Sequence, residues 1–279
     1  MTSVRARSCP WALAATWAWQ AAAGLVVAWP AATLVKRAFG GDPRGDAALW
    51  DAGGHALLVL LSRESHAISA ELTLASVVAS LIAIAGLLPM AALMVAMLDR
   101  TGRRGGAAVG YAAARAMRAL PALGALLLVT ALIQAAAVGV AWLLLKVVDL
   151  CARETLDESR ADWIEALVVA PFAPLLGAFA IVHDLARAAA IRFRLGAVGA
   201  ATLAVAAFRR APWSTIWGWT WRGGASLSLV LASALAAGAL GGRPGFALVT
   251  LTIGHQATIA ARVALRASWL AKALRTVAR

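Results

Sequence analysis

Lysine and arginine are shared unequally among the loops that separate six long apolar stretches, and this inequality constrains the fold more than any motif. Of the 26 basic residues, two precede the first stretch, five lie in 99–118, six in 187–222 and five from Arg262 onward. These loops share one face of a membrane, and the other face holds the remaining eight. Eleven of the 13 acidic residues fall on that second face. Short loops rich in Lys and Arg are retained in the cytoplasm. The sequence therefore predicts an oriented chain with both termini inside.

With 62% hydrophobic and 14% charged residues, the chain is too apolar for an ordinary soluble domain. About 20 apolar residues in a helix cover ~30 Å of hydrocarbon. Backbone groups in lipid must be satisfied within each span, and no strand-like alternation is visible, so the spans are expected to be helices. The expected fold is all-α: a polytopic transmembrane bundle of six spans in three hairpins, with amphipathic interfacial helices, as one membrane domain over 1–279. The spans are placed at about 11–35, 69–98, 120–146, 162–183, 224–241 and 245–264. The net charge of +13 does not point to nucleic acid, because the basic residues are dispersed in short loops beside spans. Arg5, Arg7 and the apolar run behind them imitate a signal peptide. The run continues through Leu25 and Trp29, so residues 1–23 are read as part of an uncleaved span.

Local signals fit this layout. Ser159 with Asp162 reads as a helix cap opening the fourth span. Residues 241–245 read as a tight turn before the sixth. Trp29, Trp142 and Trp163 are expected at the outer boundary, and Trp11 and Trp269 at the inner one. The segment 195–208 is apolar but short, with arginines on both flanks, and is expected to lie at the inner interface or against the bundle. The outer segment 46–62 reads similarly. Pro89 and Asp99 are spaced like Pro174 and Asp184, an internal echo that suggests repeated helical hairpins. Pro171 and Pro174 are expected to kink the fourth span. Cys9 and Cys151 fall on opposite sides and cannot pair within one molecule.

Candidate chemistry is sparse. Gln20, Gln134, His255 and Gln256 lie at mid-bilayer depth and are expected to face the interior, as packing contacts or as a polar path for a small permease. His183, Asp184 and Arg187 form a polar cluster at an inner helix end, where Asp184 and Arg187 can pair along one face. Two basic surfaces suit anionic lipid headgroups or a protein partner: Arg115 and Arg118 beside Tyr111, and Arg209, Arg210 and Arg222 beside Trp213, Trp217 and Trp221. Ser226 and His255 suggest an intramembrane hydrolase dyad, but their expected depths differ by ~10 Å at helical rise. No catalytic or metal-binding motif is present in the sequence, so neither an enzyme nor a cofactor is expected.

The segments HDLARAAAIR, AVGAATLAVAAFRR and HQATIAARVALRASWLAKAL resemble a broad set of poorly characterised bacterial six-helix membrane proteins. They are similar to the membrane domain attached to some glycerophosphodiester phosphodiesterases. The resemblance covers the latter third of the chain. It implies a six-helix bundle in a bacterial cytoplasmic membrane and transfers no catalytic residue. Membrane lipids are the expected partners, through their anionic headgroups.

Overall fold

The computed structural model describes residues 9–39, 62, 65–99, 103, 105–152, 158–240 and 245–279. Nine helices and no strands occur among them: α1 (Pro10–Phe39), α2 (Ser65–Ala85), α3 (Leu87–Leu98), α4 (Gly105–Ala152), α5 (Glu158–Val169), α6 (Phe172–Phe193), α7 (Ala197–Arg210), α8 (Pro212–Leu240) and α9 (Phe246–Thr276). Six helical stretches are long and apolar enough to cross a membrane: Pro10–Arg37, Ile68–Leu98, Gly105–Cys151, Asp162–Phe193, Pro212–Leu240 and Phe246–Thr276. Each contains one expected span almost entirely. Four run well past the hydrocarbon limit, because a helix of Ala and Arg, both good formers, has no reason to stop there.

Two spans are broken, and the breaks match. α2 gives way to α3 at Gly86, and α5 gives way to α6 at Ala170 and Pro171. Pro89 and Pro174 each occupy the third position of the helix that follows. A proline there has no N–H for the carbonyl four residues back, Ala85 or Ala170, so the preceding helix ends while the new one tolerates the ring. Trp19 packs against the first break: a Cβ at Gly86 would lie 3.4 Å from the Trp19 Nε1 and 3.0 Å from the Ile82 carbonyl. The echo between Pro89 and Pro174 is thus a repeated way of breaking a span. It diverges afterwards. α3 stops just before Asp99, whereas α6 runs on through Asp184 to Phe193.

The expected cap at Ser159 is displaced, since α5 already begins at Glu158. Residues 46–61, 241–244, Arg5 and Arg7 lie outside the described residues. Gly245 has φ +76°, a left-handed conformation that glycine adopts without penalty, which suits the end of a turn.

The chain divides into two compact units, one of Leu98–Thr220 with Leu270–Arg279, the other within Arg5–Met97 and Trp221–Trp269. In the first, α6 packs on α4 and α7, and α4 also meets α5 and α7. Its core is built from small residues: Ala108, Ala112 and Ala116 on α4; Ala186, Ala188, Ala189 and Ala190 on α6; Ala200, Ala204 and Ala207 on α7. Alanine at helical spacing lets backbones approach closely, the packing mode that works where lipid removes any hydrophobic drive between helices. Beyond Leu126 none of the α4 residues whose burial is described, up to Cys151, is buried. Two carbonyl groups near helix ends are bound by arginine: Arg115 Nη2 donates to Ile191 O at 3.2 Å, and Arg192 Nη1 to Leu274 O at 3.0 Å. Lys272 Nζ donates to the Ser214 carbonyl, and a Cβ at Gly218 would overlap that ammonium group.

In the second unit α1 packs on α2. Two crossed bonds join α8 and α9: Arg222 Nε donates to Ser268 Oγ at 3.0 Å, and Arg262 Nε to Ser226 Oγ at 3.1 Å. Residues 222 and 226 meet 268 and 262, so the two helices run antiparallel there. Buried side chains include Ala12, Thr16, Leu93, Met94, Val95 and Ala267. Trp269, expected as an interfacial indole, is 2% exposed and belongs to this core.

The apolar windows themselves are open. Only 33% of the window in Ile68–Leu98 is buried, and 0% to 12% of the other five. Leu25, Leu81, Leu132, Leu150, Leu167, Leu235 and Ile253 are all exposed. Surfaces of that kind suit hydrocarbon and do not suit water.

Candidate functional site: an arginine-lined cavity

The first unit holds a cavity of about 350 Å³ where the start of α4 meets the end of α6. It is lined by Tyr111, Ala114, Arg115, Arg118, Ala119 and Ala122 from α4 and by Ala190, Ile191, Arg194 and Leu195. Among the described residues, three arginines and no acidic residue line it. Tyr111, Arg115 and Arg118 share a helical face, as their spacing of three and four residues requires. That face is opposed by the C-terminus of α6, so the expected basic surface is one wall of a pocket.

The side chains are held in place by contacts of their own. Arg115 Nη1 donates to the Tyr111 hydroxyl at 3.1 Å, while its Nη2 holds the Ile191 carbonyl. Its Nε is buried with no hydrogen-bond partner. The Arg103 guanidinium stacks 4.1 Å from the Tyr111 ring centre and pairs with Asp99 at 3.5 Å. Among the described residues Arg118 and Arg194 form no ion pair. Arg194 caps α6 in the left-handed conformation, φ 57° and ψ 38°. Asn and Gly are the usual occupants of such a cap, so an arginine there is uncommon.

Deeper along α6 the expected polar cluster is present. Asp184 and Arg187 are 3% and 8% exposed and pair at 3.8 Å between Oδ1 and Nη1. His183 Nδ1 lies 2.9 Å from Thr130 Oγ1 of α4. This bond ties the two helices that form the cavity. Thr130 was not singled out in the sequence, because nothing local marks it.

The second basic surface is open. Trp213 and Trp217 are 81% and 70% exposed, and Arg209 and Arg210 beside them are exposed too. In the other unit Trp221 is 43% exposed and carries the Arg222 guanidinium 4.4 Å from its ring centre. α7 behaves as an amphipathic helix should. It buries Ala200, Ala204 and Ala207 and leaves Val198 79% exposed.

The mid-depth polar residues fall in different units, Gln134 in the first and Gln20, His255 and Gln256 in the second. His255, expected to face inward, is exposed, and its Nδ1 bonds the Leu251 carbonyl one turn back on its own helix at 2.9 Å. Gln256 Oε1 is buried without a partner, and Gln20 and Gln134 are half-buried. Within the second unit no hydrogen bond links Gln20, His255 and Gln256 among the described residues. Ser226 Oγ takes the Arg262 bond and makes none with His255. Cys9 is buried, which pushes its thiol up to about 11 and makes it a poor nucleophile at neutral pH.

Sequence reasoning found Arg115 and Arg118 but missed Arg194, Leu195 and Ile191. The available signal was the run Phe193-Arg194-Leu195-Gly196, where one helix must end for the next to begin. Comparison with family models, with curated proteins and with solved structures finds no match to this chain, so its function is argued from its own residues.

Proposed function

We propose that the chain is a multi-pass protein of a bacterial cytoplasmic membrane, crossing six times in three hairpins with both termini in the cytoplasm. Its role in this reading is non-enzymatic: it holds anionic lipid headgroups, and through them organises lipid or a protein partner at the cytoplasmic face. The likeness of its latter third to bacterial six-helix membrane proteins belongs to the same proposal.

One observation carries the reading. At the end of the helices where basic residues collect, three arginines line a cavity that contains no carboxylate. Guanidinium groups bind phosphate oxygens bidentately and remain charged at any relevant pH. The exposed Trp213 and Trp217, with Arg209 and Arg210, supply an interfacial belt on the same unit. Neither a permease nor a hydrolase gains comparable support, since His255 is turned outward and Ser226 is committed to Arg262.

The test is lipid retention. Protein purified from mixed bilayers is expected to carry phosphatidylglycerol in preference to phosphatidylcholine in native mass spectra. Replacing Trp213, Trp217, Arg209 and Arg210 together is expected to lower retention about thirtyfold, at about 1 kcal/mol for each of the two basic residues near the surface. Equal retention of the two lipids would contradict the proposal.

A further inference from the structure

We infer that the Arg115–Arg118–Arg194 cavity selects lipids whose phosphate is terminal, a phosphomonoester or diphosphate headgroup, over lipids whose phosphate is an internal diester. The inference rests on the lipid-binding reading above and deepens it.

Charge is the first reason. Arg118 and Arg194 form no ion pair among the described residues, Arg115 is bound only to neutral oxygens, and the lining offers no acid. Three uncompensated cations match a headgroup with more than one negative charge better than a diester with one. A terminal phosphate also presents three oxygens to three guanidinium groups, and Arg115 keeps one N–H on each Nη beyond its bonds to Tyr111 and Ile191.

Size is the second reason. About 350 Å³ is at the small end of ligand cavities. It holds a phosphate group and the first carbons behind it.

Polarity along α4 is the third. Arg115 and Arg118 give way within one turn to Ala119 and Ala122, which line the same cavity as α4 enters its apolar stretch. The cationic end therefore leads into an apolar end pointing along the span. A phosphate carried on a hydrocarbon tail fits that gradient, whereas a free phosphate ester leaves the apolar end without use.

The experiment titrates the full-length protein in detergent micelles with phosphatidate, phosphatidylglycerol and phosphatidylcholine, reading bound lipid by native mass spectrometry. Phosphatidate is expected to bind about tenfold or more tighter than phosphatidylglycerol, the loss expected for one charged hydrogen bond. Arg118→Gln with Arg194→Gln is expected to abolish that preference, bringing phosphatidate binding down to the level of phosphatidylglycerol binding by the same variant. Both side chains are exposed, so an unchanged melting temperature verifies the fold; Arg118→Lys with Arg194→Lys, which keeps the charge, is expected to restore part of the preference.

Equal binding of the two anionic lipids, or a preference that survives Arg118→Gln with Arg194→Gln, overturns the inference and leaves the broader lipid reading standing. Failure of either anionic lipid to bind above phosphatidylcholine overturns both. Displacement of phosphatidate by millimolar inorganic phosphate or glycerol phosphate would show a soluble phosphate ligand, and that also overturns the assignment to lipid.

Discussion

Asp184 and Arg187 show what a charged residue costs and requires inside this protein. Both are nearly inaccessible, and they pair on one face of α6 at 3.8 Å. Removing one partner leaves the other charge buried without this ion pair. Asp184→Ala is expected to destabilise the protein by about 3 kcal/mol, measured by unfolding in mixed micelles, while Asp184→Leu with Arg187→Met recovers much of that loss. A neutral Asp184→Ala would contradict the buried pair. This pairing was legible, because Asp and Arg three apart on a helix are neighbours whatever surrounds them. The Thr130–His183 bond was not, since residues 53 apart in the chain meet only once α4 and α6 are packed. Trp269 misleads for the same reason: an indole near a span end suits the interface, but a neighbouring helix can cover it, and here it is buried.

At the scale of elements, hydrophobic length located all six helical stretches long and apolar enough to cross a membrane, because a bilayer imposes one requirement on every span. Helix ends were harder to place. α4, α8 and α9 extend far beyond hydrocarbon, and only packing decides where they stop. The short segment 195–208 was legible as an amphipathic helix from its small apolar residues and flanking arginines. Its buried stripe, Ala200, Ala204 and Ala207, faces the rest of its unit with no room for a larger side chain. Ala204→Leu is therefore expected to cost about 1–3 kcal/mol by overpacking. Ala206→Leu, on the exposed side of the same helix, is expected to stay within about 0.5 kcal/mol. Equal melting temperatures for the two variants would mean that α7 does not pack through that stripe. The cavity itself was half legible. Its α4 wall follows from residue spacing, but its other wall depends on where α6 terminates, and Arg194 takes a left-handed cap position that glycine normally signals.

For the molecule as a whole, the account depends on direction. Apolar windows that are mostly open suit lipid, and in the proposed reading the partition of its arginines gives the chain an inside and an outside. The cavity, the Trp213 and Trp217 belt and the terminal residues acquire a common setting only if that orientation holds. Paired reporter fusions measure it directly: green fluorescent protein, which fluoresces when cytoplasmic, and alkaline phosphatase, which is active only when exported, joined after residues 104, 155, 243 and 279. The account predicts fluorescence without phosphatase activity at 104 and 279, and phosphatase activity without fluorescence at 155 and 243. Opposite behaviour of 104 and 279 would contradict it, removing both the six-span layout and the cytoplasmic setting of the arginine cavity.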